Sequence, residues 1–170
     1  MLKRSRRKSA GLTASAVLRR LAELEERGIA FYQGVVEGTK SDWVRKLAEK
    51  LIRAEQRHKK RFLAYAERAE AKGGKAANAL TAPLPPEVVR LLNTSIFVGK
   101  DRVKRSVPYA KDLEVLKVAI RAEEHAALLL GQLKPYIPHG ERPYITRVIN
   151  EEWGHKDALE QVRNKHFPGR

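Results

Sequence analysis

Two Glu-x-x-His segments, Glu55/His58 and Glu152/His155, stand 97 residues apart, each in the middle of an otherwise apolar helical stripe. Three residues is just under one helical turn, so a carboxylate and an imidazole leave the same face of a helix and can serve one ion. The first stripe reads Ala48, Leu51, Glu55, His58, Phe62, Tyr65; the second reads Ile145, Val148, Glu152, His155, Leu159, Val162. A charge among such neighbours is costly unless it is paired or bound. The chain must therefore fold so that the two stripes face each other and share whatever neutralises them.

Composition narrows what that can be. At 170 residues the chain suits one compact domain. It has no cysteine, which removes disulfides, thiolate nucleophiles, zinc fingers and iron–sulfur centres, so any metal must be held by oxygen and nitrogen. Abundant Ala, Leu, Glu, Lys and Arg, few aromatics, and prolines gathered mostly between residues 83 and 143 point to an all-α fold. No apolar run approaches the ~20 residues needed to span a bilayer, so no membrane is expected as a partner. Arg19 and Arg20 interrupt the one candidate for a secretory signal, making the cytoplasm the default location. The first 22 residues contain no acid and are rich in Arg and Ser, which is also the flavour of an organelle transit peptide.

The net charge of +15 is clustered: Lys3 to Lys8 at the N-terminus, Lys59 to Arg61, and Lys100 to Arg105. Such a surface attracts polyanions. A merely solvated basic face is the weightier reading, because no nucleic-acid motif accompanies the charges.

Periodicity divides the chain. Residues 1–12 read as a basic, disordered tail, and residues 13–166 as a single helical domain. A helix is expected from Thr13 to about Gly38, and a second, capped by Ser41 and Asp42, runs to about Lys72, where Gly73 and Gly74 end it. Pro83, Pro85 and Pro86 break the next stretch, a short helix over 86–93 follows, and Gly99 through Pro108 reads as basic loop. The third long helix runs from about Ala110 to Lys134, and the fourth from near Glu141 to Lys165. Two hairpins, 13–73 and 110–165, joined by a long crossover over 74–109, make the ferritin-like variant of the four-helix bundle.

The hairpins also repeat each other. Glu25 follows Leu18 and Leu21 on its face and precedes Tyr32; Glu123 follows Leu116 and Ala119 and precedes Leu130 at the same offsets. Glu25 lies 30 residues before Glu55, and Glu123 lies 29 before Glu152. Each half thus supplies one lone Glu and one Glu-x-x-His, the ligand plan of dinuclear carboxylate bundles. Glu26 and Glu124 sit about 100° round their helices and are expected to be exposed. Glu151 reads as rim or support to the ligands. His125 is expected to point away from the site, with His139 and His166 also at the surface. Tyr32 lies on the ligand face, where its hydroxyl needs a partner.

The stretches LAELEERGIAFY, LAEKLIRAEQRH, LKVAIRAEEHA and ITRVINEEWGH resemble the four metal-bearing helices of the rubrerythrin branch of the ferritin-like di-iron superfamily, over roughly residues 15 to 165. That resemblance implies two iron ions, with manganese as the other candidate, held by Glu25, Glu55, His58, Glu123, Glu152 and His155. It implies Glu55 and Glu152 as bridges and Tyr32 as a tyrosine supporting the ligands. The sequence departs from the family at Ala126, where rubrerythrins carry a further Glu, and in lacking the cysteines of a rubredoxin-type iron site. The six-ligand set is thus closer to a bacterioferritin ferroxidase centre. The expected activity is a ferroxidase or peroxidase reaction with O2 or H2O2, in iron handling or oxidative stress, with electrons from Fe(II) or an external donor. The alternatives are a di-iron hydroxylase acting on an external substrate such as RNA, and a non-catalytic metal-stabilised bundle. A polyanion on the basic surface and a second copy in a homodimer complete the expected partners.

Overall fold

The computed structural model describes residues 12–71, 78–94 and 112–169; the basic tail up to residue 11, the Gly73–Gly74 helix stop and the loop from Gly99 to Pro108 lie outside the described residues. Helix α1 (Ala14–Gly38) opens on Thr13, whose Oγ1 accepts the Ala16 N–H at 3.2 Å, a side-chain N-cap. Three residues later α2 (Asp42–Ala71) begins. Ser41 stands just before α2, its carbonyl accepting the Arg45 N–H at 3.0 Å. Its hydroxyl donates to the Asp112 carboxylate, which also accepts from Thr39 Oγ1 at 3.1 Å. A full carboxylate charge is a stronger acceptor than a neutral group, so this tertiary contact fastens the first hairpin's turn to the start of the second.

Between the hairpins, α3 (Pro86–Asn93) starts on a proline at its first turn, where the missing N–H is not needed. Its Val88 and Leu92 are buried, and Arg20 Nε donates to the Leu92 carbonyl at 3.3 Å. The second hairpin is α4 (Asp112–Leu133), two tight 3-10 turns (Lys134–Tyr136 and His139–Glu141), and α5 (Arg142–His166). Arg142 closes that connection by donating to the carbonyls of Ile137 at 2.9 Å and Pro135 at 2.7 Å. Among the described residues there is no strand, and no helix long and apolar enough to cross a membrane. The architecture is an all-helical bundle of two packed hairpins, α1 with α2 and α4 with α5.

The core is not continuous. One apolar cluster joins Val17 to Ala22 of α1, Phe62 and Ala66 of α2, Leu129 to Leu133 of α4 and Tyr144 to Val148 of α5, with Val88 and Leu92 of α3. A second joins Phe31 to Val35, Val44 to Leu51, Val115 to Ile120, and Leu159. On every long helix the residues between the two clusters include a buried carboxylate: Glu25, Glu55, Glu123 and Glu152. The bundle is a polar layer between two apolar ends.

The crossover helix belongs to that core. Leu92→Ala should therefore cost about 2–5 kcal/mol, measured by urea denaturation, while leaving metal uptake by the distant polar layer unchanged.

Candidate metal centre

All six sequence candidates converge in this layer. Their ligand atoms form two groups, Glu25, Glu55, His58 and Glu152, and Glu55, Glu123, Glu152 and His155, with the atoms in each group within 4.8 Å of one another. Glu55 and Glu152 belong to both. His58 Nδ1 lies 2.9 Å from Glu152 Oε1 and 3.8 Å from Glu55 Oε2. His155 Nδ1 lies 3.4 Å from Glu123 Oε2 and 3.5 Å from Glu152 Oε2. These separations are short, yet His58 Nδ1, His155 Nδ1 and both Glu152 oxygens have no hydrogen bond. The atoms are gathered without being aligned as donor and acceptor. Buried polar atoms are rarely left so, and lone pairs that converge without protons between them suit a cation. The residues present fit a pair of divalent metal ions by chemistry and by arrangement.

Electrostatics agrees with the geometry. Burial pushes Glu25 well above the usual carboxylate range, reinforced by Glu55. Glu55 is raised to about 8, first by burial and then by Glu152. Glu152 is raised likewise by burial and by Glu123. Burial also works on Glu123, but contacts from His155, Glu152 and Tyr32 outweigh it and hold the group below its ordinary value. His155 is raised to about 10, because Glu123 and Glu152 outweigh the burial that would lower it. Without a cation the layer must hold protons that metal would replace.

Outside the ligands the support is specific. Glu151 Oε2 accepts from His58 Nε2 at 2.8 Å, which leaves Nδ1 as the lone-pair nitrogen facing the carboxylates. Tyr32, 2% exposed, donates its hydroxyl to Glu123 Oε1. Glu26 and Glu124 are half-buried rather than exposed, outside both ligand groups, and Glu26 pairs with Lys59. His139 and His166 are exposed, the latter stacked on Trp43 at 4.1 Å. His125 departs from expectation. It is half-buried, its Nε2 is enclosed without a hydrogen bond, and it lines a cavity of about 60 Å³ reaching Glu25, Glu55, Glu123 and Glu152. The cavity's other walls include Leu21, Leu24, Ala126, Leu129 and Leu130. A lone His two positions past a ligand sits about 160° away on an ideal helix (two steps of 100°), and only the packing of α4 against α1 turns that flank into a cavity wall. Tyr144 was also not legible as a neighbour of the centre. Its enclosed hydroxyl has no partner, and burial together with Glu25 holds its proton more tightly than usual.

No protein-family model and no curated protein matches the chain. Among solved structures it is similar to a crystal structure from Thermotoga maritima, provisionally described as a ferritin-like diiron-carboxylate protein. The TM-score is 0.66 at 19% identity, over 92% of this chain and 97% of that one. At that identity the likeness establishes the fold, and this chain has the ferritin-like helical bundle.

The shifted groups fix the sign of a pH dependence. In the metal-free protein the buried carboxylates keep protons that the unfolded chain releases above about pH 4.5, so their ionisation opposes folding progressively as pH rises towards 8. The stability contributed by His155 is present below its ordinary 6.5 and is lost as pH rises towards 10. Glu123, lowered, contributes constantly above its unfolded value. The melting temperature of metal-free protein should therefore fall from pH 5 to 8, by about 3–5 °C per pH unit for each group titrating. Bound metal should flatten the profile. Identical profiles with and without metal would mean that the carboxylates share no buried site.

Proposed function

We propose that the polar layer holds two iron ions and that the protein is a di-iron oxidase or peroxidase of the rubrerythrin-like kind. The observation that carries this reading is that Glu55 and Glu152 stand in both ligand groups, as carboxylates shared between two ions must. Four carboxylates offset the charge of two divalent cations. Glu25 with His58, and Glu123 with His155, would complete the two halves. When bound, the two irons would supply the two electrons that reduce O2 or H2O2.

The chain's own residues supply the rest. Glu151 fixes the tautomer and orientation of His58. Tyr32 restrains Glu123. The apolar clusters on either side of the layer keep bulk water out. The cavity of about 60 Å³, lined by four leucines and two alanines beside the four carboxylates, favours a small neutral reactant such as O2 or H2O2. Pockets for organic ligands run to roughly 300–1,000 Å³, which argues against the hydroxylase alternative. A net charge of +15 also opposes gathering Fe(II) as bulk cargo, so the iron is proposed as resident cofactor rather than stored metal.

Iron-loaded protein should contain two ions per chain, and its optical spectrum should change on exposure to O2 or H2O2. Glu152→Gln should lower the content to one ion or fewer. If metal content is unchanged by substitutions at the six residues, the centre lies elsewhere. If iron binds but neither oxidant reacts, the hydroxylase is the correct reading where an RNA or small organic substrate triggers O2 consumption, and the non-catalytic bundle where none does. Ala126 lines the cavity one turn beyond Glu123. Ala126→Glu should shift reactivity from O2 towards H2O2, and should lower the metal-free melting temperature while iron restores it. A wild-type protein that already strongly prefers H2O2 would show that this position does not set the choice.

A further inference from the structure

One face of α2 carries a groove of about 560 Å³ lined by Arg57, Lys60, Arg61, Ala64, Tyr65 and Arg68. No carboxylate among the described residues pairs with any of its four cations, whereas Arg19, Arg20, Lys59, Lys117 and Lys156 each hold one. Apart from Arg57, which also acts on the Glu151 carboxylate, these like charges at close range repel one another, and an anionic partner removes that cost. The groove's Tyr65 and its neighbour Tyr144 each already carry an arginine. The Arg68 guanidinium carbon lies 4.2 Å from the Tyr65 centroid, and that of Arg61 lies 5.3 Å from the Tyr144 centroid. Such stacking leaves the in-plane N–H donors free for carboxylates, while leaving those faces closed to nucleotide bases.

Two tyrosines link the groove to the metal centre. Its Tyr65 meets Tyr144 edge-on with centroids 5.0 Å apart. Tyr144, enclosed, lies within electrostatic reach of Glu25. His58 sits between Arg57 and Arg61 on the same turns of α2.

We propose that this groove docks a small acidic one-electron carrier protein, with Tyr65 and Tyr144 as the packed path between the carrier and the metal centre. The destination of the electrons rests on the di-iron reading; the docking does not. With no cysteine, the chain has no iron–sulfur centre of its own to bring electrons in. Each encounter would oxidise the carrier by one electron, so two encounters would supply the two electrons that a ferric pair held by the six residues needs to become ferrous. No atom is transferred.

The test is calorimetric titration of full-length protein, iron-loaded and metal-free, with oxidised flavodoxin as the acidic carrier, at low and at high salt. Lys60→Glu with Arg68→Glu should weaken binding at least about tenfold, and high salt should weaken the wild-type complex. Lys46→Glu, 14 residues (about 21 Å) back along α2, should change the affinity less than about twofold. Tyr65→Leu, compared with wild type at saturating flavodoxin so that any change in affinity drops out, should slow reoxidation of reduced flavodoxin by the iron-loaded protein. Metal-free protein that binds flavodoxin through the groove, yet never takes up iron, would sink the di-iron reading and support the docking. Iron-loaded protein that does not bind flavodoxin, or binds it with no response to the groove reversals, overturns the docking. So does a single-stranded RNA oligonucleotide that binds through the groove when flavodoxin does not.

Discussion

Four carboxylates at one level of a helical bundle, none more than 8% exposed, are the constraint around which this molecule is built. Desolvation and mutual repulsion drive three of them towards the protonated state, and two imidazoles at close range are the only compensation the chain supplies within the ligand groups. A core of this kind is a poor source of stability by itself. The apolar residues are therefore placed above and below the layer, and the hairpin turns are tied from outside by contacts such as Ser41 and Thr39 to Asp112.

The same constraint explains the support given to the ligands. A buried imidazole that must offer one nitrogen inward needs its other nitrogen occupied, and Glu151 does this for His58. A carboxylate that must hold one orientation needs a donor, and Tyr32 provides it for Glu123. Such partners fix ligands that would otherwise turn towards one another or towards protons.

Much of this was legible because heptad periodicity and charge placement are local properties. Charged residues recurring inside apolar stripes marked Glu25, Glu55, His58, Glu123, Glu152 and His155, and among the described residues Gly38, Pro86 and Pro135 marked helix ends to within one or two residues. What failed depended on tertiary neighbours. Ser41 reads as a helix cap, and its tie to Asp112 of the other hairpin shows only once the hairpins pack. His125 reads as a surface residue because helical rotation alone cannot show that α1 covers that flank of α4. Tyr144 and the arginines stacked near it gained their relation to the centre only when α2 and α5 were packed together. Interleaving of basic and aromatic side chains was present along α2, as Arg61, Tyr65 and Arg68 at helical spacing, and only its extension to Tyr144 of α5 is produced by packing.

The internal duplication has a further consequence. Tyr32 stands seven residues after Glu25, but the corresponding position after Glu123 is Leu130, and the phenol reaches across to the opposite half. Glu151 precedes one Glu-x-x-His and clamps the histidine of the other, whereas Ala54 holds the equivalent place before Glu55 and can clamp nothing. His58 is 2% exposed and His155 15%. Two berths drawn from one template have thus become chemically unlike, one shut and braced and the other closer to solvent. On the di-iron reading, ions entering such a pair would meet different affinities, and occupancy would advance in two distinct stages instead of one.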